Sequence, residues 1–301
     1  MLYVFISIFC SVLVSILLKV AKRYEVNMVQ AIPINYVVAA SACLFIFKPS
    51  LNFPTEGPIG TYALLGLLLP TLFIILAISV TKSGIVRTDI AQRLSLLIPL
   101  LAAFLLFGEP ISNQKLIAIV VGIVAVLFSI PWKQNQASTS YSWLYPLLVF
   151  IGMGIIDVFF KKLATFSEIP FTTSLFWVFV LAFFVSIILL AYNRYIQHNH
   201  LKLKNIIFGI VLGAFNFGNI LFYLKAHNAL STQPSIVFTS MNIGVIALGS
   251  LVGLWLFKEK LSRLNYIGIG LALVAIVLIS LKATIPLPVP IPPVTVKAAV
   301  S

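Results

Sequence analysis

Acidic side chains are scarce in this chain: seven Asp and Glu stand against 20 Lys and Arg in 301 residues, and all charged types together make up 9%. A soluble domain carries about 25% charged residues. With 61% hydrophobic residues and a mean hydropathy of +1.11 beside that deficit, the composition is that of an integral membrane protein. Cysteine is equally short. Cys10 and Cys43 each sit inside an apolar run, where a thiol packs as a small hydrophobe, so no disulfide framework is expected. His227, expected at the membrane interface, has no second His, Cys or acid at ligand spacing, and no metal site is read. No Walker motif, Gly-rich phosphate loop or nucleophile-and-base constellation is present, which argues against ATP hydrolysis and against an enzyme; no cofactor is expected. No stretch alternates apolar and polar residues over the roughly 10 positions of a membrane barrel strand. The first residues, MLYVFISIFCSVLVSILLKVAKRY, lack a basic leader and a small-residue cleavage site, and read as a retained first span.

What is present is long apolar runs. A helix crosses about 30 Å of hydrocarbon with about 20 apolar residues. Ten spans fit: 2–20, 29–47, 60–80, 88–107, 114–131, 143–162, 171–192, 205–225, 234–257 and 264–281. The polar stretch 133–142 divides them into two five-helix halves, 1–132 and 143–281, and a Pro-rich segment, 282–301, follows as an extended tail. The halves echo each other. Glu109 matches Glu259, Ser112 matches Ser262, Gln92 matches Asn242 and Asp89 matches Thr239, all 150 residues apart; Lys19 and Glu25 match Lys162 and Glu168, 143 residues on. Five is odd, so duplicated halves enter the bilayer in opposite orientations. The expected fold class is therefore an all-α integral membrane protein of ten transmembrane helices in two inverted five-helix repeats, an architecture that suits alternating access about a midplane site.

Polar residues within the spans supply the candidate site. Ser7, Ser11, Ser15 and Lys19 recur at four-residue spacing on the first span, hence near one helix face. Lys19 either snorkels to water or faces a cavity where an anionic substrate group compensates it. Asp89 with Arg93, and Asp157 with Lys161, are acid-first pairs four residues apart, expected to pair along their helices. Asp157, the deepest acid, lies about 7 Å from the end of its span at about 1.5 Å per residue, and with Asp89 is a proton-coupling candidate. Asn216, Asn219 and Tyr223 form a polar stripe on the eighth span, which Thr239 and Asn242 extend onto the ninth. Two Asn in a membrane helix can also simply bond a neighbour. The substrate-binding set is thus Ser15, Lys19, Gln92, Arg93, Asn216, Asn219, Tyr223, Thr239 and Asn242. Amides and hydroxyls suit a small polar metabolite, and Lys19 with Arg93 suits its carboxylate or phosphate. Glu109 and Glu259 fall in tight turns and read as capping devices, with Ser112 and Ser262 as N-caps. Gly209 with Gly213, and Gly249 with Gly253, have the spacing that lets helices approach closely, and Pro70 and Pro99 are placed to bend their spans.

Ten spans as five plus five, with LLIPLLAAFLLFGEPISNQKLIAIVVGIVAVLF in one half and LGSLVGLWLFKEKLSRLNYIGIGLALVAIVLI in the other, resemble the drug/metabolite transporter superfamily, specifically an EamA-type permease, over residues 2–281. The resemblance implies a secondary carrier of the bacterial inner membrane with a central cavity lined by spans one, three, four, six, eight and nine. Its expected partners are a small-molecule substrate and membrane lipid, with nucleic acid excluded and a homodimer left open. It implies both termini in the cytoplasm, whereas the distribution of Lys and Arg, taken literally, places both outside. Single-cysteine accessibility in a background free of Cys10 and Cys43 tests the inverted repeat. The connections at Gln30 and Gln136 should label from one side and those at Lys48 and Lys115 from the other; turns 109–113 and 258–262 labelling from the same side would contradict it.

Overall fold

A computed structural model describes residues 1–83, 88, 91–92, 94–110, 112–129, 143–197, 201–256 and 263–281, and among them every regular element is a helix. Ten helices follow in order: α1 (Leu2–Arg23), α2 (Met28–Phe47), α3 (Ile59–Lys82), α4 (Leu97–Leu105), α5 (Asn113–Ser129), α6 (Leu144–Thr165), α7 (Phe171–Gln197), α8 (Leu203–Ala229), α9 (Pro234–Leu256) and α10 (Arg263–Leu281). The expected linker 133–142, the tail 282–301, and Glu259 and Ser262 lie outside the described residues. Four stretches, Met28–Phe47, Ile59–Ser79, Phe171–Tyr195 and Leu203–Ala229, are long and apolar enough by themselves to cross a membrane.

Local chemistry sets the helix ends. Asn27 caps α2 by accepting the Val29 N–H at 3.0 Å, and Lys48, in the left-handed region at φ 47°, stops it. Proline opens α9, where its missing N–H costs nothing. The expected fourth span, 88–107, is interrupted: its described residues 88, 91–92 and 94 are helical, and a turn separates them from Leu97–Leu105. Pro99 cannot donate to the Ser95 carbonyl; the Ile98 N–H takes that carbonyl instead at 3.1 Å, and the Ser95 hydroxyl turns to the Gln92 carbonyl at 2.7 Å. The ladder breaks into a turn at Ser95–Leu96, and α4 begins at Leu97. Pro70, by contrast, sits within a continuous α3.

The core runs through both halves of the chain. Tyr36, Tyr62 and Leu65 from the first half are buried in one cluster with Leu163, Leu175, Phe179, Leu224 and Phe238 from the second. The outer surface exposes Phe45, Leu105, Ile188 and Trp255, the apolar face a bundle turns to lipid. In the packing, α2 lies against α7 and α8, α1 against α8 and α9, α3 against α6 and α7, and α5 against α10.

Contacts also define the two ends of the bundle. At one end, Tyr3 of α1 stacks on Phe222 of α8, and the Lys225 ammonium sits over the rings of Tyr3, Phe47 and Phe222. The turn between α4 and α5 meets the start of α9 there through Glu109, so we call this the Glu109 end. At the opposite end, the Asn205 amide donates to Gln30 at 2.6 Å while its oxygen accepts the Asn27 N–H at 3.2 Å, and Lys204 donates to the Tyr24 carbonyl.

Gly209 and Gly213 bring α8 onto α2: a Cβ at Gly209 would lie 2.6 Å from the Ala31 carbonyl oxygen, and one at Gly213 would lie 2.7 Å from that of Asn35. Gly249 corrects the parallel expectation for the ninth span, because a Cβ there would meet nothing within 4 Å. Its spacing from Gly253 therefore reflects no close approach at Gly249. Gly213→Leu should destabilise the detergent-solubilised protein by at least about 1–3 kcal/mol, since the obstacle is backbone, whereas Gly249→Ala should stay within about 0.5 kcal/mol of wild type. Thermal unfolding followed by tryptophan fluorescence compares the two.

Candidate functional site

α8 is a long, mostly apolar helix with a polar face. Asn216, its central residue, is buried and donates its amide to the Asn35 side-chain oxygen of α2 at 3.2 Å. One turn on, Asn219 accepts the Ser7 hydroxyl of α1, which lies 2.9 Å from the side-chain oxygen and 2.8 Å from the backbone carbonyl. A further turn on, the Tyr223 hydroxyl donates to Asp157 of α6 at 2.9 Å. Three successive positions of the stripe therefore reach three different helices. An amide in hydrocarbon must find its partner inside the protein, and these three find theirs across helix interfaces.

Below Tyr223 the face continues to His227, which is 0% exposed. It stands in the last turn of α8, near the helix end as expected, and is enclosed there by its neighbours. The imidazole is held between the rings of Tyr223 and Phe238, each 4.6 Å away by centroid. The terminal turn of α6 runs alongside. Lys161, 2% exposed, donates its ammonium to the Ser231 carbonyl at 2.6 Å and stands 5.8 Å from the centre of the Phe107 ring. The expected pairing of Asp157 with Lys161 is therefore not what forms: Asp157 takes the phenol of Tyr223, and Lys161 reaches past it to the loop before α9. Helical spacing allowed the pair, but neighbouring helices offered each charge a better-placed partner.

Glu109 acts as a cap, and the first turn that its carboxylate holds is that of α9. One oxygen accepts the Ser235 N–H at 2.8 Å and the other accepts the Ser235 hydroxyl at 2.5 Å. The carboxylate thus satisfies a free N–H in the first turn of α9 and lies at the positive end of that helix.

The other described members of the expected set bond within their own helices or keep a hydroxyl unbonded. Ser15 is exposed and bonds the Ser11 carbonyl of its own helix at 3.1 Å. The Gln92 carbonyl accepts Ser95, and the Asn242 amide bonds the Phe238 carbonyl one turn back at 3.1 Å. Thr239 is buried, its hydroxyl without a partner and its methyl beside Gly122 of α5. Asp89 and Arg93 lie outside the described residues, as does the side chain of Lys19 on α1. Asn35, Lys161 and His227 were missing from the expected set. Asn35 is legible as a lone amide inside an apolar run, whereas the burial of His227 and the partner of Lys161 are set by other helices. A cleft of about 540 Å³ lined by Lys48, Asn52, Glu56 and Thr172 opens at the Glu109 end, outside this face of α8.

An all-helical bundle with apolar outer walls and amides, a phenol and a carboxyl joined across its interior is a polytopic membrane protein with a polar centre. This chain belongs to the EamA-like transporter family, whose family model matches residues 140–281. An uncharacterised protein of Haemophilus influenzae is 43% identical over 275 residues, which cover 87% of this chain and 92% of that protein. A solved crystal structure of a protein 14% identical superposes with a TM-score of 0.65 over 93% of this chain and 98% of the other, a likeness of fold alone.

Tyr223→Phe should leave the buried Asp157 carboxyl without its donor and lower stability by about 1–3 kcal/mol. The double variant Tyr223→Phe/Asp157→Leu should recover part of that loss in the same unfolding assay, because both polar partners are then gone.

Proposed function

We propose that this protein is a secondary-active transporter that moves a small polar metabolite, such as an amino acid or an organic acid, across the bacterial inner membrane by alternating access between two inverted five-helix repeats. The observation that carries the reading is the junction on α8, where Asn216, Asn219 and Tyr223 meet Asn35, Ser7 and Asp157 from helices of both halves. A polar seam between two halves is where relative movement exposes binding groups to one side and then the other. The packing supports the repeat: α1 packs on α8 and α9 as α6 packs on α3 and α4, and α2 packs on α8 as α7 packs on α3. Exchanging the halves turns each of these contacts into the other, and α2 with α7, α4 with α9 and α5 with α10 map onto themselves. The binding set remains the one proposed from sequence, with the amides of α8 at its centre and Lys19 and Arg93 offered to an anionic group. A homodimer in the lipid bilayer is part of the proposal.

A second reading has its own support. Asp157 is bonded by a neutral phenol rather than by Lys161, so its carboxyl is available to carry a proton or a cation in exchange for the substrate. That is the chemistry of cation or drug efflux by proton exchange. A membrane scaffold or lipid-modifying enzyme has no such support.

Reconstituted alone in liposomes, the protein should show saturable, protein-dependent uptake or efflux of at least one solute in a panel of amino acids, organic acids and lipophilic cations. At matched reconstitution, Asn219→Ala should raise KM for that solute. If Asp157 couples protons, Asp157→Asn should abolish gradient-driven accumulation while leaving solute exchange intact. Failure of the wild-type protein to move any solute, together with chemical turnover of a lipid, would refute the carrier.

A further inference from the structure

The polar contacts at the Glu109 end form a clamp between the two halves. Past the end of α4 at Leu105, Gly108, with a φ of +62°, reverses the chain and folds the Glu109 N–H back to the Ala103 carbonyl at 3.0 Å. That reversal turns a carboxylate at a membrane-helix end inward, leaving it only 4% exposed. It then holds the first turn of α9 by both the backbone N–H and the hydroxyl of Ser235, 126 residues away in the other half. The same segment is gripped from within its own half. Lys161 donates to the Ser231 carbonyl, and Asn228 donates to the Ala164 carbonyl at 3.1 Å. Lys161 is also close enough to Glu109 for the two charges to interact, so the grips share one field.

We infer that Glu109 is the positioning residue that closes this end of the carrier. Its carboxylate ties the turn between α4 and α5 to the start of α9, and releasing Ser235 lets the two halves part at this end. The inference rests on the alternating-access reading and names the contact that changes in it. Packing alone would not need an ionisable group here. A charge held this deep is costly without its partners, so the closed arrangement is strongly specified while they are in place.

The test uses the full-length chain in lipid nanodiscs, with Cys10 and Cys43 replaced by Ala and spin labels at Asn113→Cys and Thr232→Cys, both exposed on either side of the clamp. Pulsed electron paramagnetic resonance reads the distance between them and requires no substrate. The starting protein should give one short distance. Glu109→Ala should raise the ratio of long to short distances about tenfold or more, as expected for loss of hydrogen bonds to a charged group. Glu109→Gln, which keeps an acceptor but loses the charge, should fall between, and Glu109→Asp should restore part of the closed population. If Glu109→Ala does not yield a folded protein, Ser235→Ala decides, because it removes one bond and leaves the backbone grip. Distance distributions that superimpose on the starting protein in Glu109→Ala, or in Ser235→Ala where that variant decides, would overturn the clamp even if the protein transports. Shifted distances in a protein that moves no solute would uphold the clamp and refute the carrier.

Discussion

A polar group inside a hydrocarbon layer has no water to turn to, and the arrangement of this bundle follows from that constraint. α8 is the clearest case. It is apolar enough to cross a membrane, yet it carries two amides, a phenol and an imidazole along one side. The amide of Asn216 needs α2, Asn219 receives α1, and Tyr223 needs α6. Because Gly209 and Gly213 remove the side chains that would hold α2 away, the first of these bonds can form at close backbone approach. Small residues and polar residues are thus complementary here: one kind permits the approach and the other fixes its register.

Charge is arranged by the same constraint. Among the described residues, Glu109, Lys161 and Asp157 lie near one end, and each bonds a neutral group of another element. Glu109 holds the start of α9, Lys161 holds the loop that leads into α9, and Asp157 lies one turn further in against Tyr223. A buried carboxylate is stabilised most where N–H groups lack partners, and the first turn of a helix is such a place.

The four stretches that satisfy the length and apolarity of a membrane span belong to α2, α3, α7 and α8. They pack on one another, α2 on α7 and α8 and α3 on α7. In the proposed repeat these are two related pairs, second with seventh and third with eighth. The helices around them carry the interruptions: the break at Ser95 before α4, and Asp157 and Lys161 in α6. Such a division leaves the long apolar helices in contact with one another and puts the charges of α6 beside them.

Much of this was already legible in the residues. Hydrophobic length marks the helices and short-range spacing marks their faces, so the ten elements, the close approach at Gly209 and Gly213, the interruption near Pro99 and the stripe of Asn216, Asn219 and Tyr223 all follow from local pattern. The family too is carried by that pattern. What local pattern cannot hold is the identity of a partner on another helix. Asp157 and Lys161 stand four residues apart and face the same way, yet each bonds elsewhere. Glu109 is legible as a cap from its turn, but the Ser235 N–H that it holds in α9 lies 126 residues on. His227 is legible as a residue near a helix end, but that rings from α8 and α9 enclose it is not. The sequence by itself determined which groups are polar and on which side of a helix they lie, because those are properties of a single turn. Only the tertiary structure decided what each group meets, because in a bundle the nearest polar partner is set by how helices distant in sequence are packed.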